Sequence, residues 1–165
     1  MIFLKIESIK GQSTVAQTDY TEAIEVDSYS FGVSKALLAK ASNQERQAGE
    51  VNFSEMTFTK TMDQATNMLV DACAKGTALG DVEVHVTRTV GATEELLVKY
   101  VLFDALISTV SSSGSSGGQL PFDSFSVNFT KITGDFTGQK TDSTAGGVSA
   151  FEYDMRTKEA GAAAA

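Results

Sequence analysis

Apolar and polar positions alternate along most of the chain, and only one stretch changes to a helical period. Ile2, Leu4 and Ile6 alternate with Phe3, Lys5 and Glu7, which predicts a first strand. After a polar connection from Gly11 to Thr21, Ile24 and Val26 share one phase, whereas Tyr29, Phe31 and Val33 hold the other. A one-residue change of phase predicts a bulge or bend near Asp27 and Ser28. Phe53, followed by Met56 and Phe58, repeats that change in a third strand. Strands bent this strongly suit a closed or nearly closed barrel.

After Asp63 the period lengthens. Ala65, Met68, Leu69, Ala72 and Cys73 recur at three and four residues, which predicts a helix over about 63–75 with these five on its core face. Asp63 or Thr66 can cap its start, Lys75 sits in its last turn, and Gly76 is a left-handed stop. A lone helix with one apolar stripe must dock on a sheet.

Beyond the helix, Val82, Val84 and Val86 alternate with Glu83, His85 and Thr87, and the turn Gly91-Ala92-Thr93 leads into a long strand from Glu95 to Ser108. Both faces of that strand are apolar: Leu97, Val101, Phe103 and Ile107 on one, Leu96, Val98, Tyr100 and Leu102 on the other. Either the helix covers the second face or another subunit does. Further strands are predicted from Phe125 to Ile132 and through Phe151, Tyr153 and Met155. Ser34 to Glu50 reads as a long polar insertion, and Ser111 to Gln119 as a flexible loop. No internal repeat survives inspection. The expected fold is mainly β: a bent β-barrel of two packed antiparallel sheets with one flanking helix. It occupies residues 1–158 as a single domain, and 159–165, ending in GAAAA, form a short flexible tail.

Composition narrows the function. A chain of 165 residues favours one domain with a real core. The net charge of -8 argues against nonspecific nucleic-acid binding and against an anionic membrane surface. One cysteine cannot form an internal disulfide, which fits folding in a reducing cytoplasm. MIFLKIESIK lacks the marks of a cleaved signal peptide. No apolar run reaches the roughly 18 residues of a spanning helix, so no membrane insertion is expected.

Candidate chemistry is sparse. His85 is the only histidine, and its place mid-strand between Glu83 and Thr87 reads as solvent-facing or interfacial. No G-x-S-x-G elbow accompanies it, so a small hydrolase is a remote reading. Cys73 lies on the apolar helix stripe, where burial suppresses its thiolate. One Cys and one His make no zinc constellation, and no EF-hand spacing is present. Gly114, Gly117 and Gly118 are not followed by the Lys-Ser/Thr of a phosphate loop. No catalytic residue, metal or cofactor is expected.

The strand-to-helix block Phe58-Thr59-Lys60, then Asp63, Thr66, Leu69, Ala72-Cys73 and Gly76, resembles the haemolysin-coregulated protein (Hcp) family of type VI secretion systems. Phe3-Leu4-Lys5-Ile6 with Gly11, Glu25-Val26, Tyr29-Ser30-Phe31-Gly32, Val110-Ser111, Val127-Asn128-Phe129, Phe136 and Gln139-Lys140 match in the same order. The resemblance runs from Ile2 to about Lys158. Tyr29 and Phe31 stand where relatives often carry Trp, and Asn67 where they often carry a proline.

The resemblance implies hexameric rings that stack into the inner tube, are propelled by a contractile sheath, and hold effector proteins inside. Sheath and spike components would be further partners. The chain would assemble in the bacterial cytoplasm and leave through the apparatus without a cleaved signal peptide. Under this reading Lys35, Leu37, Leu38, Lys40, Glu45, Arg46 and Glu50 of the insertion are the candidate ring-stacking contact; the alternative is a solvated loop. Ser28 and Ser30 are the candidate lumen-facing residues, against the alternative that they merely face water or a neighbouring strand. The other functional reading is a soluble β-barrel partner-binding module that forms no tubes.

Overall fold

In the computed structural model, which describes residues 1–15, 18–39, 46–90, 93–139 and 145–161, the alternating segments become strands around one helix. They are β1 (Ile2–Ile6), β2 (Ile24–Glu25), β3 (Ser28–Ser30), β4 (Val33–Ala39), β5 (Arg46–Phe53) and β6 (Met56–Thr61), followed by α1 (Ala65–Lys75). Then come β7 (Ala78–Val90), β8 (Thr93–Ser113), β9 (Phe122–Asn128), β10 (Lys131–Gln139), β11 (Ala145–Asp154) and β12 (Glu159–Ala160). All described pairings between strands are antiparallel.

The 21-residue β8 belongs to both layers. Its first part pairs with β7 and β10, in a layer ordered β12-β11-β10-β8-β7-β1-β2. Its last part pairs with β9, which continues through β6 to β3. The bend between them lies near Asp104, at φ 52°, and a register shift follows between Ile107 and Thr109. The other corner is at Val26 and Asp27. Val26 donates its N–H to Ile2 in the first layer at 3.1 Å, and Asp27 to Thr59 in the second at 2.8 Å. The expected phase change at Asp27 is therefore the point where the chain changes partners. The result is a bent, barrel-like pair of layers with a flanking helix, as the alternation predicts.

The core fills the space between them. Leu4, Val82, Val84, Leu102 and Ile132 from the first layer meet Met56, Phe58, Phe125 and Val127 from the second. Phe58 and Phe125 stack at 5.2 Å between ring centroids. Gly134 is a glycine for space: a Cβ there would lie 2.2 Å from the Phe151 ring.

Helix α1 packs on β8. Gly76, at φ 63°, ends it in the left-handed conformation, its N–H and that of Thr77 closing on Cys73 and Ala72 carbonyls. At the start, the Asp63 carboxylate accepts the Ala65 N–H at 2.9 Å. Ala65, Leu69 and Ala72 are buried and Cys73 is half-buried, but Met68 is 45% exposed. The buried stripe instead takes in Thr66, whose hydroxyl bonds Lys60 and Asp123 and turns the helix toward that side. Leu69→Ala is expected to cost about 2–5 kcal/mol in urea denaturation. A cost under about 1 kcal/mol would mean that the helix is not docked through this side chain.

Other expectations are corrected by pairing. The insertion from Ser34 to Glu50 is built on strands, β4 and β5, which form a separate two-stranded sheet. The strand expected over 125–132 is two, because the chain turns at Phe129 and Thr130 and enters β10. The long strand reaches Ser113, five residues beyond Ser108, and takes the first serines of the expected loop. Glu159 and Ala160 pair with Asp154 and Tyr153, past the expected domain end at Lys158. Residues 162–165 of the closing run, and Gly91 and Ala92 of the expected turn, lie outside the described residues.

His85 is not solvent-facing. On the outer side of β1 and β7 Tyr20 lies over Phe3, ring centroids 4.4 Å apart, and the Gly11 and Ser13 N–H groups donate to the Glu22 and Ala23 carbonyls. Tyr20 also meets His85 edge-on at 5.7 Å, and a Cβ on Gly11 would strike the Ala23 carbonyl oxygen at 2.3 Å. His85 is thus buried with Glu83, 2.9 Å from Nε2, and the Tyr20 hydroxyl, 3.4 Å from Nδ1. Burial lowers its pKa.

Candidate assembly surfaces

Strand β6 decides what the second layer shows to each side. Met56, Phe58 and Lys60 point inward and are buried; Thr57, Thr59 and Thr61 point outward. The inward lysine is compensated. Its Nζ lies 2.6 Å from Asp63 and 3.1 Å from Asp123, and it donates to the Thr66 hydroxyl and the Thr61 carbonyl, each at 3.1 Å. Asp123, buried at the start of β9, also accepts from Thr66 and from Ser112 at 2.7 Å. Burial pushes the Asp123 carboxyl up, but the bonds from Thr66, Ser112 and Lys60 outweigh it and hold the pKa below the usual carboxylate range. This knot ties β6, β8, β9 and the start of α1 into one unit.

The outward side of the same strands carries small hydroxyls in cross-strand rows. Ser28, Thr59, Ser124 and Ser111 form one row across β3, β6, β9 and β8. Ser30, Thr57, Ser126 and Thr109 form the next. Ser28 bonds Thr59 at 2.6 Å and Thr57 bonds Ser126 at 2.9 Å. Ser28 and Ser30 are both exposed, and six further hydroxyls share their face of the layer. Period-two alternation in 57–61 and 124–126 carries that signal, but only the register puts the rows side by side.

The two ends of this layer differ. At the Met56–Asn128 end the β4–β5 hairpin leaves the body. Its base is closed by bonds between Gly32 and Ser54 at 2.7 and 2.8 Å. Lys35 is exposed, and Leu37 and Leu38 occupy β4 opposite Ala48 and Gln47. Arg46 pairs with Ala39 through the backbone, whereas Lys40 and Glu45 lie outside the described residues. Exposed Glu50 reaches exposed Lys158 at 2.5 Å, and that ammonium holds the Glu50 carboxyl below its usual range. At the opposite end, Leu120 is 68% exposed and Phe122 49%, beside exposed Met62, whose N–H is bonded by the Pro121 carbonyl.

The first layer leaves an apolar edge. Tyr100 meets Tyr29 and Phe31, and their contact helps raise the Tyr29 hydroxyl, chiefly through burial, to about 12. Beyond them Phe136 and Phe151 remain exposed on one face of β10 and β11, with Leu96 exposed on β8 and Val148 on the opposite face of β11. The helix therefore does not cover the whole of the doubly apolar strand. Among the described residues, no group of three or more His, Cys, Asp or Glu is placed to hold a metal ion, and no helix is long and apolar enough to cross a membrane.

A bent double layer with one docked helix and an outlying hairpin is a known architecture. The solved structure of a type six secretion system protein shares it, with a TM-score of 0.90 at 21% identity over 97% of this chain and 98% of the other. Hcp1 from Salmonella typhimurium superposes with a TM-score of 0.77 at 22% identity, covering 96% of this chain and 97% of that one. Protein hcp1 of Pseudomonas aeruginosa is 28% identical over 142 residues, which span 86% of this chain and 85% of that protein. The family model "Type VI secretion system effector, Hcp" matches residues 3–136. The chain belongs to the Hcp family of type VI secretion systems.

Proposed function

We propose that six copies of this chain close into a ring and that rings stack head to tail into the inner tube of a type VI secretion system. The observation that carries this reading is the pair of Ser/Thr rows across β3, β6, β9 and β8, flanked by the carboxylates of Asp27 at one end and Glu55 at the other. Turned toward a lumen, these rows offer cargo neutral hydrogen-bonding groups between two acidic ends. Effector proteins can then be held weakly and released. The exposed Phe136 and Phe151, which share a face of β10 and β11, give a neighbouring subunit of the ring a surface to bury. The hairpin at one end and the Met62, Leu120 and Phe122 rim at the other suit contacts between successive rings, which are heterologous and repeat. Several small contributions, including Leu37 and Leu38 in the hairpin, act together there, because exposed ion pairs give only about 0–1 kcal/mol each. Assembly takes place in the bacterial cytoplasm with sheath and spike as partners, and export proceeds through the apparatus. The protein's work is associative, with no bond made or broken.

Native mass by light scattering over a concentration series, with negative-stain images of the same samples, tests this. Six-subunit rings, single or stacked, are the expected result. A monomer at every concentration would overturn it in favour of a partner-binding β-barrel.

A further inference from the structure

We infer that the C-terminal turn Asp154–Lys158 is a bracket that sets the angle of the β4–β5 hairpin, and with it the fit between stacked copies; this last step rests on the stacking reading above. The hairpin needs one. A two-stranded sheet by itself is marginal in water, and among the described residues β4 and β5 pair only with each other. At its base the chain passes Gly32 on one side and Ser54-Glu55 on the other, outside any strand. Two contacts from the C-terminal segment cross that pivot. The Tyr153 ring lies 5.0 Å from the Phe53 ring at the end of β5, and Lys158 Nζ reaches Glu50 three residues further out.

The turn is built to hold those groups in place. The Asp154 carboxylate accepts the N–H groups of Arg156 and Thr157 at 2.8 and 3.3 Å. Arg156 spans from Asp154 to Asp104 at the bend of β8, and the Met155 N–H is fixed on the Thr130 carbonyl at 2.9 Å. Lys158 itself sits at φ 59°, a left-handed conformation that is costly for a lysine. That conformation reverses the chain, so that β12 returns along β11 while the lysine side chain spans to the hairpin. The contacts join the hairpin to β8, β10 and β11. The arm is thereby referenced to the first layer, although it grows out of the second.

Amide hydrogen exchange of residues 33–36 and 49–53 in the full chain, read beside ring mass and stack length, tests the bracket. Lys158→Glu should lower hairpin protection by up to about fivefold, the ceiling for one exposed pair. It should shorten stacks and leave rings intact, and adding Glu50→Lys should restore both. Tyr153→Leu, which keeps an apolar group at the core edge, should lower protection further. Unchanged hairpin protection in both Lys158→Glu and Tyr153→Leu would overturn the bracket and leave the ring reading standing. Lower protection with unchanged stacks would overturn its link to stacking. If the wild type formed no rings, the ring reading would fail, and protection measured in the monomer would still decide the bracket.

Discussion

Lys60→Met is expected to destabilise the chain by about 3–5 kcal/mol, because it leaves the buried Asp123 carboxylate without its cation. Methionine fits the lysine stem, so cavity formation contributes little, and the cost is electrostatic. Thr66 and Ser112 still donate to Asp123, which sets the lower end of that range. Replacing both charges, as Lys60→Met with Asp123→Leu, should recover most of the loss, since an apolar pair of similar volume often matches a buried ion pair. The acid limb of stability checks the same point. The Asp123 pKa is depressed in the folded chain, so its contribution is complete above the usual carboxylate range and disappears as pH falls through the folded value. Urea midpoints between neutral pH and pH 3 should fall more steeply for the wild type than for the double variant. Equal slopes, or a loss under about 1 kcal/mol for Lys60→Met, would show that the charge is not held buried.

That knot also marks how far the sequence is legible. Lys60 shares the phase of Met56 and Phe58, and Asp123 that of Phe125 and Val127, so period-two alternation already turns two opposite charges inward. Their partnership depends on β6 lying beside β9, which no local pattern encodes. The layers, the docked helix and the corner at Asp27 are legible because each follows from the phase of a few neighbouring residues. His85 is misread for the opposite reason. Its phase is right, but of the two readings, solvent-facing or interfacial, the first fails because Tyr20, distant in sequence, covers that face of β1 and β7. Met68 fails because a polar contact, Thr66 with Asp123, rotates the helix away from the side that apolar residues alone would select. Strands β4 and β5 are missed since residues 33–36 stay exposed and the two strands carry no alternation strong enough to reveal them. Ser28 and Ser30 share a phase within one short strand, and the register sets six further hydroxyls beside them, which no single strand encodes.

The second large effect lies on that same strand. Phe58→Ala is expected to cost about 3–5 kcal/mol, because the side chain is fully buried between the layers. It also stacks on Phe125, and the cavity borders residues from both sheets that have little freedom to collapse. Phe58→Leu should cost less, since it keeps most of the volume. Thr57 and Thr59 flank Phe58 but face outward, so alanine at either should change stability by no more than about 1 kcal/mol, the value of one hydroxyl bond. The contrast separates the two faces of one strand. If that outer face lines a lumen, the threonine variants should form rings of normal mass yet retain cargo differently, whereas Phe58→Ala should lose both together as the layers part. Urea unfolding of the three variants measures the first half, and co-purification of effector with rings the second. A threonine variant as unstable as Phe58→Ala would mean that the hydroxyl rows hold the layer together rather than line a passage.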